Sequence, residues 1–128
     1  MANILLDTHV LIWFAEGNNR LSSNAITEIT ETSNNKFASI VSFWEIVIKS
    51  SLNKLGFESS TQEILEFCIA NEIRIIQIDL KHLNTLQTLP HHHGDPFDRM
   101  IIAQALTEGL TIISADRHFD AYPVNVSW

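Results

Sequence analysis

Apolar positions along this chain fall in short runs, each followed by a polar, helix-opening segment. Asn3 to Leu6 is a run that stops at Asp7 and predicts a strand. Val10-Leu11-Ile12-Trp13-Phe14 is too continuous to show a period, and its place after a strand predicts a helix. Ser22 or Ser23 suits the cap of a helix carrying Ile26 and Ile29, and Asn34-Asn35 suits a turn before a second strand over 36–40. Ser42-Phe43-Trp44-Glu45 has the Ser-x-x-Glu form of a capping box, opening a helix with Trp44, Val47 and Ile48 on one face and an end near Gly56. The pattern repeats at Ser60-Thr61-Gln62-Glu63, ahead of Ile64, Leu65, Phe67 and Cys68. The β-branched run over 73–78 predicts a third strand and 80–89 another helix. Asp95-Pro96 is a helix start, since proline at the first helical position lacks only an N–H that would go unpaired, and Gly109 stops that helix. Residues 110–114 predict a fourth strand and 124–126 a short fifth one. Strands alternating with helices imply a three-layer α/β/α domain with a mainly parallel sheet of four to five strands.

Composition narrows this picture. The chain has 128 residues, 45% of them hydrophobic and 18% charged, enough for one core and little more, so a single domain over 1–128 is expected. Eleven aromatics against four Gly and three Pro exclude a low-complexity or disordered class. A single cysteine, Cys68, forbids an internal disulfide, and the apolar run ending at Asp7 is too short for a signal peptide or membrane span, so a cytoplasmic protein is expected. The net charge of −7 denies the chain a broad electrostatic grip on nucleic acid. A polyanion must then be held locally, by a divalent cation on some of the carboxylates or by a few Arg and Lys beside them. An acidic surface also suits a basic protein partner.

Open parallel sheets form their sites at the carboxyl ends of the strands, where loops converge. Asp7 directly follows the first strand, and Glu45 is expected in the first turn of the helix after the second. Asp98 falls in the first turn of the Asp95-Pro96 helix, and Asp116 two residues after the fourth strand. Four segments thus offer one carboxylate each. Like charges grouped in this way repel, and a hard cation, Mg²⁺ or Mn²⁺, is what makes the ionised cluster stable. Each position also has a local reading: Asp7 as a helix cap, Glu45 as capping-box partner, Asp98 as a dipole-favoured acid, Asp116 as a turn residue. Lys49, Arg99 and Arg117 lie close in sequence to these acids and suit a phosphate-binding rim, or equally a bracing role. His91-His92-His93 invites zinc, but three successive residues cannot all face one ion, and no distant His completes a recognisable spacing.

These residues resemble the PIN-domain ribonucleases, and within them the VapC-type toxins of type II toxin–antitoxin pairs. The landmarks are Leu5-Leu6-Asp7-Thr8-His9, Ser42-Phe43-Trp44-Glu45-Ile46 with Lys49, Asp95-Pro96-Phe97-Asp98-Arg99 leading into Ile101-Ile102-Ala103-Gln104-Ala105, and Ser114-Ala115-Asp116. The resemblance implies that Asp7, Glu45, Asp98 and Asp116 are a catalytic, metal-binding quartet for Mg²⁺ or Mn²⁺, with Ser114 supporting the site through a hydroxyl hydrogen bond. It further implies a central first strand, a homodimer, inhibition by a cognate antitoxin, and endonucleolytic cleavage of RNA that leaves 5′-phosphate and 3′-hydroxyl ends. One departure is Ala115, where the family often carries a polar or basic residue; here the base is Arg117. Rival readings fare worse. A haloacid-dehalogenase-like phosphatase needs a second Asp where this chain has His9, and a receiver module needs paired early acids and a late Lys, yet the last Lys is Lys81. A catalytically idle binding module and a DNA-cutting nuclease stay open.

Overall fold

A computed structural model describes residues 1–52 and 59–128. Five strands, β1 (Asn3–Leu6), β2 (Asn35–Ser39), β3 (Ile73–Ile76), β4 (Thr111–Ile113) and β5 (Val126–Ser127), form one sheet in the order β3-β2-β1-β4-β5. All four pairings are parallel and β1 is central. The helices are α1 (Thr8–Glu16), α2 (Ser23–Thr30), α3 (Ile40–Ser51), α4 (Thr61–Ala70), α5 (Leu80–Thr88) and α6 (Pro96–Glu108), with a 3₁₀ turn at Arg117–Ala121.

The two layers follow from the alternation of side chains along each strand. Ile4 and Leu6 of β1, with Ala38 and Ile113, join Val10, Leu11, Ala25, Ile29, Ile64 and Cys68 in a core beneath α1, α2 and α4. Leu5 and Ile112 face the other way and pack with Met100, Ile101, Ala105, Phe119 and Tyr122 under α6. Both faces are covered, as a parallel sheet requires. Local signals fix several ends. Ser22 accepts from the Ala25 N–H, Ser60 and Glu63 close a reciprocal capping box, and Asp95 Oδ1 accepts from the N–H groups of Phe97 and Asp98. Gly109 closes α6 at φ 69°, a left-handed conformation that glycine adopts at no steric cost.

Helix α3 departs from expectation. Its N-cap is Ser39, whose hydroxyl accepts from the Val41 N–H, so α3 starts three residues before the expected Ser42 box and places Glu45 in its second turn. The face carrying Trp44, Val47 and Ile48 lies outside, with Trp44 at 52% and Val47 at 54% exposure and Ile48 exposed beside them. Val41, Ser42, Glu45 and Ile46 are buried in their place. The expected end at Gly56 lies outside the described residues, and α3 closes at Leu52. Strands β3, β4 and β5 are shorter than or shifted from their expected spans, because fraying ends keep their side-chain pattern after the ladder stops.

Candidate active site

Asp7 takes the backbone position of an N-cap for α1 but makes no side-chain cap bond. Its N–H is tied to Ile113 O (3.1 Å), fixing it beside β4, and Oδ2 accepts from the Ser114 hydroxyl (2.7 Å). Ser114 Oγ in turn accepts from the Asp116 N–H (2.9 Å), so one buried hydroxyl joins the ends of β1 and β4. Asp7 is 5% exposed, and burial holds its carboxyl above the usual carboxylate range even against the Ser114 bond.

Glu45 reaches the same edge from α3. The neighbouring Ser42 hydroxyl shares a hydrogen bond with Thr8 Oγ1 (2.8 Å), pinning α3 to the start of α1. Glu45 is 3% exposed; Oε2 accepts from the Lys49 ammonium, and Oε1 is buried with no hydrogen-bond partner among the described residues. Burial alone would lower the pKa of Lys49, but the bond and charge of Glu45, reinforced by Asp95 and Asp98, keep it raised. A buried carboxylate oxygen left unmatched is costly, and a donor or a cation would relieve it.

Asp98 arrives on the first turn of α6. Oδ2 accepts from His93 Nε2–H (2.9 Å). Its pKa is pushed up to about 7, chiefly by burial and then by the charges of Asp95, Asp7 and Glu45, against the lowering effect of the His93 bond. Those mutual influences place Asp7, Glu45 and Asp98 in one electrostatic neighbourhood. Asp116 lies nearer the surface as the cap of the 3₁₀ turn, where its Oδ1 accepts from the backbone N–H (2.9 Å) and Nδ1–H (2.8 Å) of His118. Burial would raise it, but the two His118 bonds outweigh this and its pKa is lowered. The rings of His93 and His118 stack at 4.5 Å and 7°, so an imidazole pair spans from Asp98 to Asp116.

The basic residues divide. Lys49 is bonded to Glu45 and Arg117 is exposed beside Asp116. Arg99 is buried and does not join a phosphate rim: its guanidinium donates to Pro90 O (2.8 Å), Leu89 O (3.3 Å) and Tyr122 Oη (3.2 Å), bracing the segment before α6. The three consecutive histidines also part company, since His92 packs edge-on against Tyr122 while His93 alone meets Asp98. Sequence reasoning missed the His93–His118 pair because its members come from two loops with no shared spacing.

This arrangement suits a hard divalent ion. The donors are carboxylate oxygens from three segments, one of them buried and unmatched among the described residues, and Asp7 and Asp98 both have a pKa raised chiefly by burial and then by neighbouring carboxylates. The α3–α4 side of the molecule adds a separate apolar cleft of about 530 Å³, lined by Ile40, Phe43, Trp44, Val47, Leu65 and Ile75.

The PIN domain family model matches residues 4–125. Ribonuclease VapC22 of Mycobacterium tuberculosis is 26% identical over 123 residues, covering 95% of this chain and 93% of that protein. Among solved structures, a chain in the crystal structure of VapBC2 from Rickettsia felis bound to a promoter DNA fragment superposes with TM-score 0.72 at 16% identity, covering 98% of this chain and 97% of that one. DNA-bound VapBC from Salmonella typhimurium gives 0.69 at 14% identity, with 99% and 98% coverage. With β1 central in a five-stranded parallel sheet and the family model spanning nearly the whole length, this chain belongs to the PIN domain family.

Proposed function

We propose that this protein is a metal-dependent endoribonuclease and the toxin of a toxin–antitoxin pair, working as a single domain over 1–128. The carrying observation is that Asp7, Glu45 and Asp98, from three separate segments, stand near enough for their charges to act on one another, and that a buried oxygen of Glu45 has no partner among the described residues. Asp7, Glu45 and Asp98 are the residues that hold Mg²⁺ or Mn²⁺, and Asp116 completes a weaker second position or orients water. When bound, the ion supplies Lewis acidity and lowers the pKa of water for attack on a phosphodiester. Ser114 keeps Asp7 and Asp116 in fixed relation. Lys49 and Arg117 offer positive charge to RNA phosphates, while Arg99 acts only through the backbone it braces.

The partner is an antitoxin, as in the VapBC complexes that share this fold. Support comes from the exposed apolar side chains Trp44 and Val47 along the α3–α4 cleft and from an acidic surface of net charge −7 that suits a basic chain. A homodimer and a cytoplasmic location belong to the same reading; no described helix is long and apolar enough to cross a membrane.

Purified protein incubated with RNA and Mg²⁺ or Mn²⁺ tests the activity, with Asp7→Asn as control. The expected outcome is cleavage by the wild type and a rate lower by about 10³-fold or more in the variant, with unchanged circular dichroism. Equal cleavage by both removes Asp7 from the chemistry. A wild type that cuts DNA but not RNA, or cuts nothing, favours the DNA-nuclease or idle-module reading instead.

A further inference from the structure

We propose that His93 is itself a metal ligand, acting with Asp98 and Asp95 so that this centre carries a nitrogen donor and prefers Mn²⁺ to Mg²⁺. The inference deepens the reading above and rests on it only for the identity of the site. One ligand atom each from His93, Asp95 and Asp98 lies within 4.8 Å of the others. Ligands around an ion at about 2.0–2.2 Å stand up to roughly 4.4 Å apart, so a small closing movement suffices. Asp95 spends Oδ1 on capping α6, which leaves Oδ2 without a partner among the described residues.

The Oε1 of Glu45, buried and unmatched among the described residues, is a second, independent acceptor left unsatisfied in the same electrostatic neighbourhood. Glu45 is nine-tenths buried, its charge is felt at Asp98, and Lys49 on its other oxygen lies in the field of both Asp95 and Asp98. His93 is also held for the task. Its backbone N–H donates to Tyr122 Oη (3.0 Å), and its ring is sandwiched against His118 with Nε2 turned to Asp98. Imidazole nitrogen suits first-row ions such as Mn²⁺, whereas Mg²⁺ favours oxygen ligands and retained water.

Pulsed EPR of the Mn²⁺-loaded protein reads the proposal directly, together with Mn²⁺ and Mg²⁺ affinities by calorimetry. Wild type is expected to show ¹⁴N coupling from an imidazole. His93→Gln, whose amide still donates to Asp98, is expected to lose it, with Mn²⁺ affinity falling roughly tenfold or more and Mg²⁺ affinity by much less. In His93→Ala, added imidazole is expected to restore the coupling and the affinity, which covers the case of His93→Gln failing to fold. Wild type without nitrogen coupling overturns the proposal and leaves the ribonuclease reading standing. Coupling that survives in His93→Gln and vanishes in His118→Gln also overturns it, as do equal losses of Mn²⁺ and Mg²⁺ affinity. Coupling in a protein that leaves RNA intact supports the ligand and sinks the ribonuclease reading.

Discussion

Asp7 and Glu45 are nearly enclosed while Asp98 and Asp116 are more open, and the two pairs are treated differently by the chain. The inner pair is 5% and 3% exposed, and its side-chain partners among the described residues are the Ser114 hydroxyl and the Lys49 ammonium. The side chains of the outer pair are 15% and 39% exposed, and each accepts from a histidine. A histidine bond is thus common to the outer pair, yet it lowers only Asp116 overall, since burial still raises Asp98. On the proposed function, the enclosed acids would set whether a metal binds and the more open ones how it is held.

The strongest way to break this contrast is to neutralise one member of each pair. Glu45→Gln is expected to lower metal-dependent RNA cleavage by about 10³-fold or more, and Asp116→Asn by about 10- to 100-fold, measured as single-turnover rates at saturating metal. Equal losses would erase the distinction.

A stability profile across pH sharpens it. Asp98 holds its proton to about pH 7 in the fold, above the ordinary value of 3.8, so the folded form binds more protons than the unfolded chain between those limits. Asp98 is therefore expected to cost the metal-free protein stability as pH rises from about 4 to about 7, contributing at most about 1.4 kcal/mol per unit. Urea unfolding with a chelator present checks this; Asp98→Asn should flatten the slope, and Mn²⁺ should reverse it at the upper end.

The smallest effect concerns the tie between the pairs. Ser114→Ala removes the hydroxyl that bonds Asp7 and receives the Asp116 N–H, and is expected to cost about 1–2 kcal/mol, read as a lower Tm, with the fold retained.

Much of this was legible beforehand where local chemistry and tertiary need agree. Asp95-Pro96 and Gly109 bracket α6 because cap and stop signals act within a turn, and Asp7 stands at the sheet edge because a strand has to end there. Legibility failed at α3. The pattern Ser42-x-x-Glu45 looks like a cap, but both side chains are drawn inward, one to Thr8 and one to the site, while Ser39 does the capping. The apolar side chains Trp44 and Val47 of the same helix line an outer cleft, which the helical period alone does not distinguish from a core-facing stripe. Arg99 and the stacked histidines were illegible for another reason: their partners are 9 to 25 positions away in loops, and no period connects them.

The hydroxyl of Tyr122 receives the N–H groups of His92 and His93 and the guanidinium of Arg99, and donates to Pro90 O. A single phenol thus knots the histidine loop to the segment that carries His118. Transplanting that loop into another scaffold would fail unless the tyrosine travelled with it, and insertions between positions 90 and 94 should be tolerated far less well than the loop's surface position suggests.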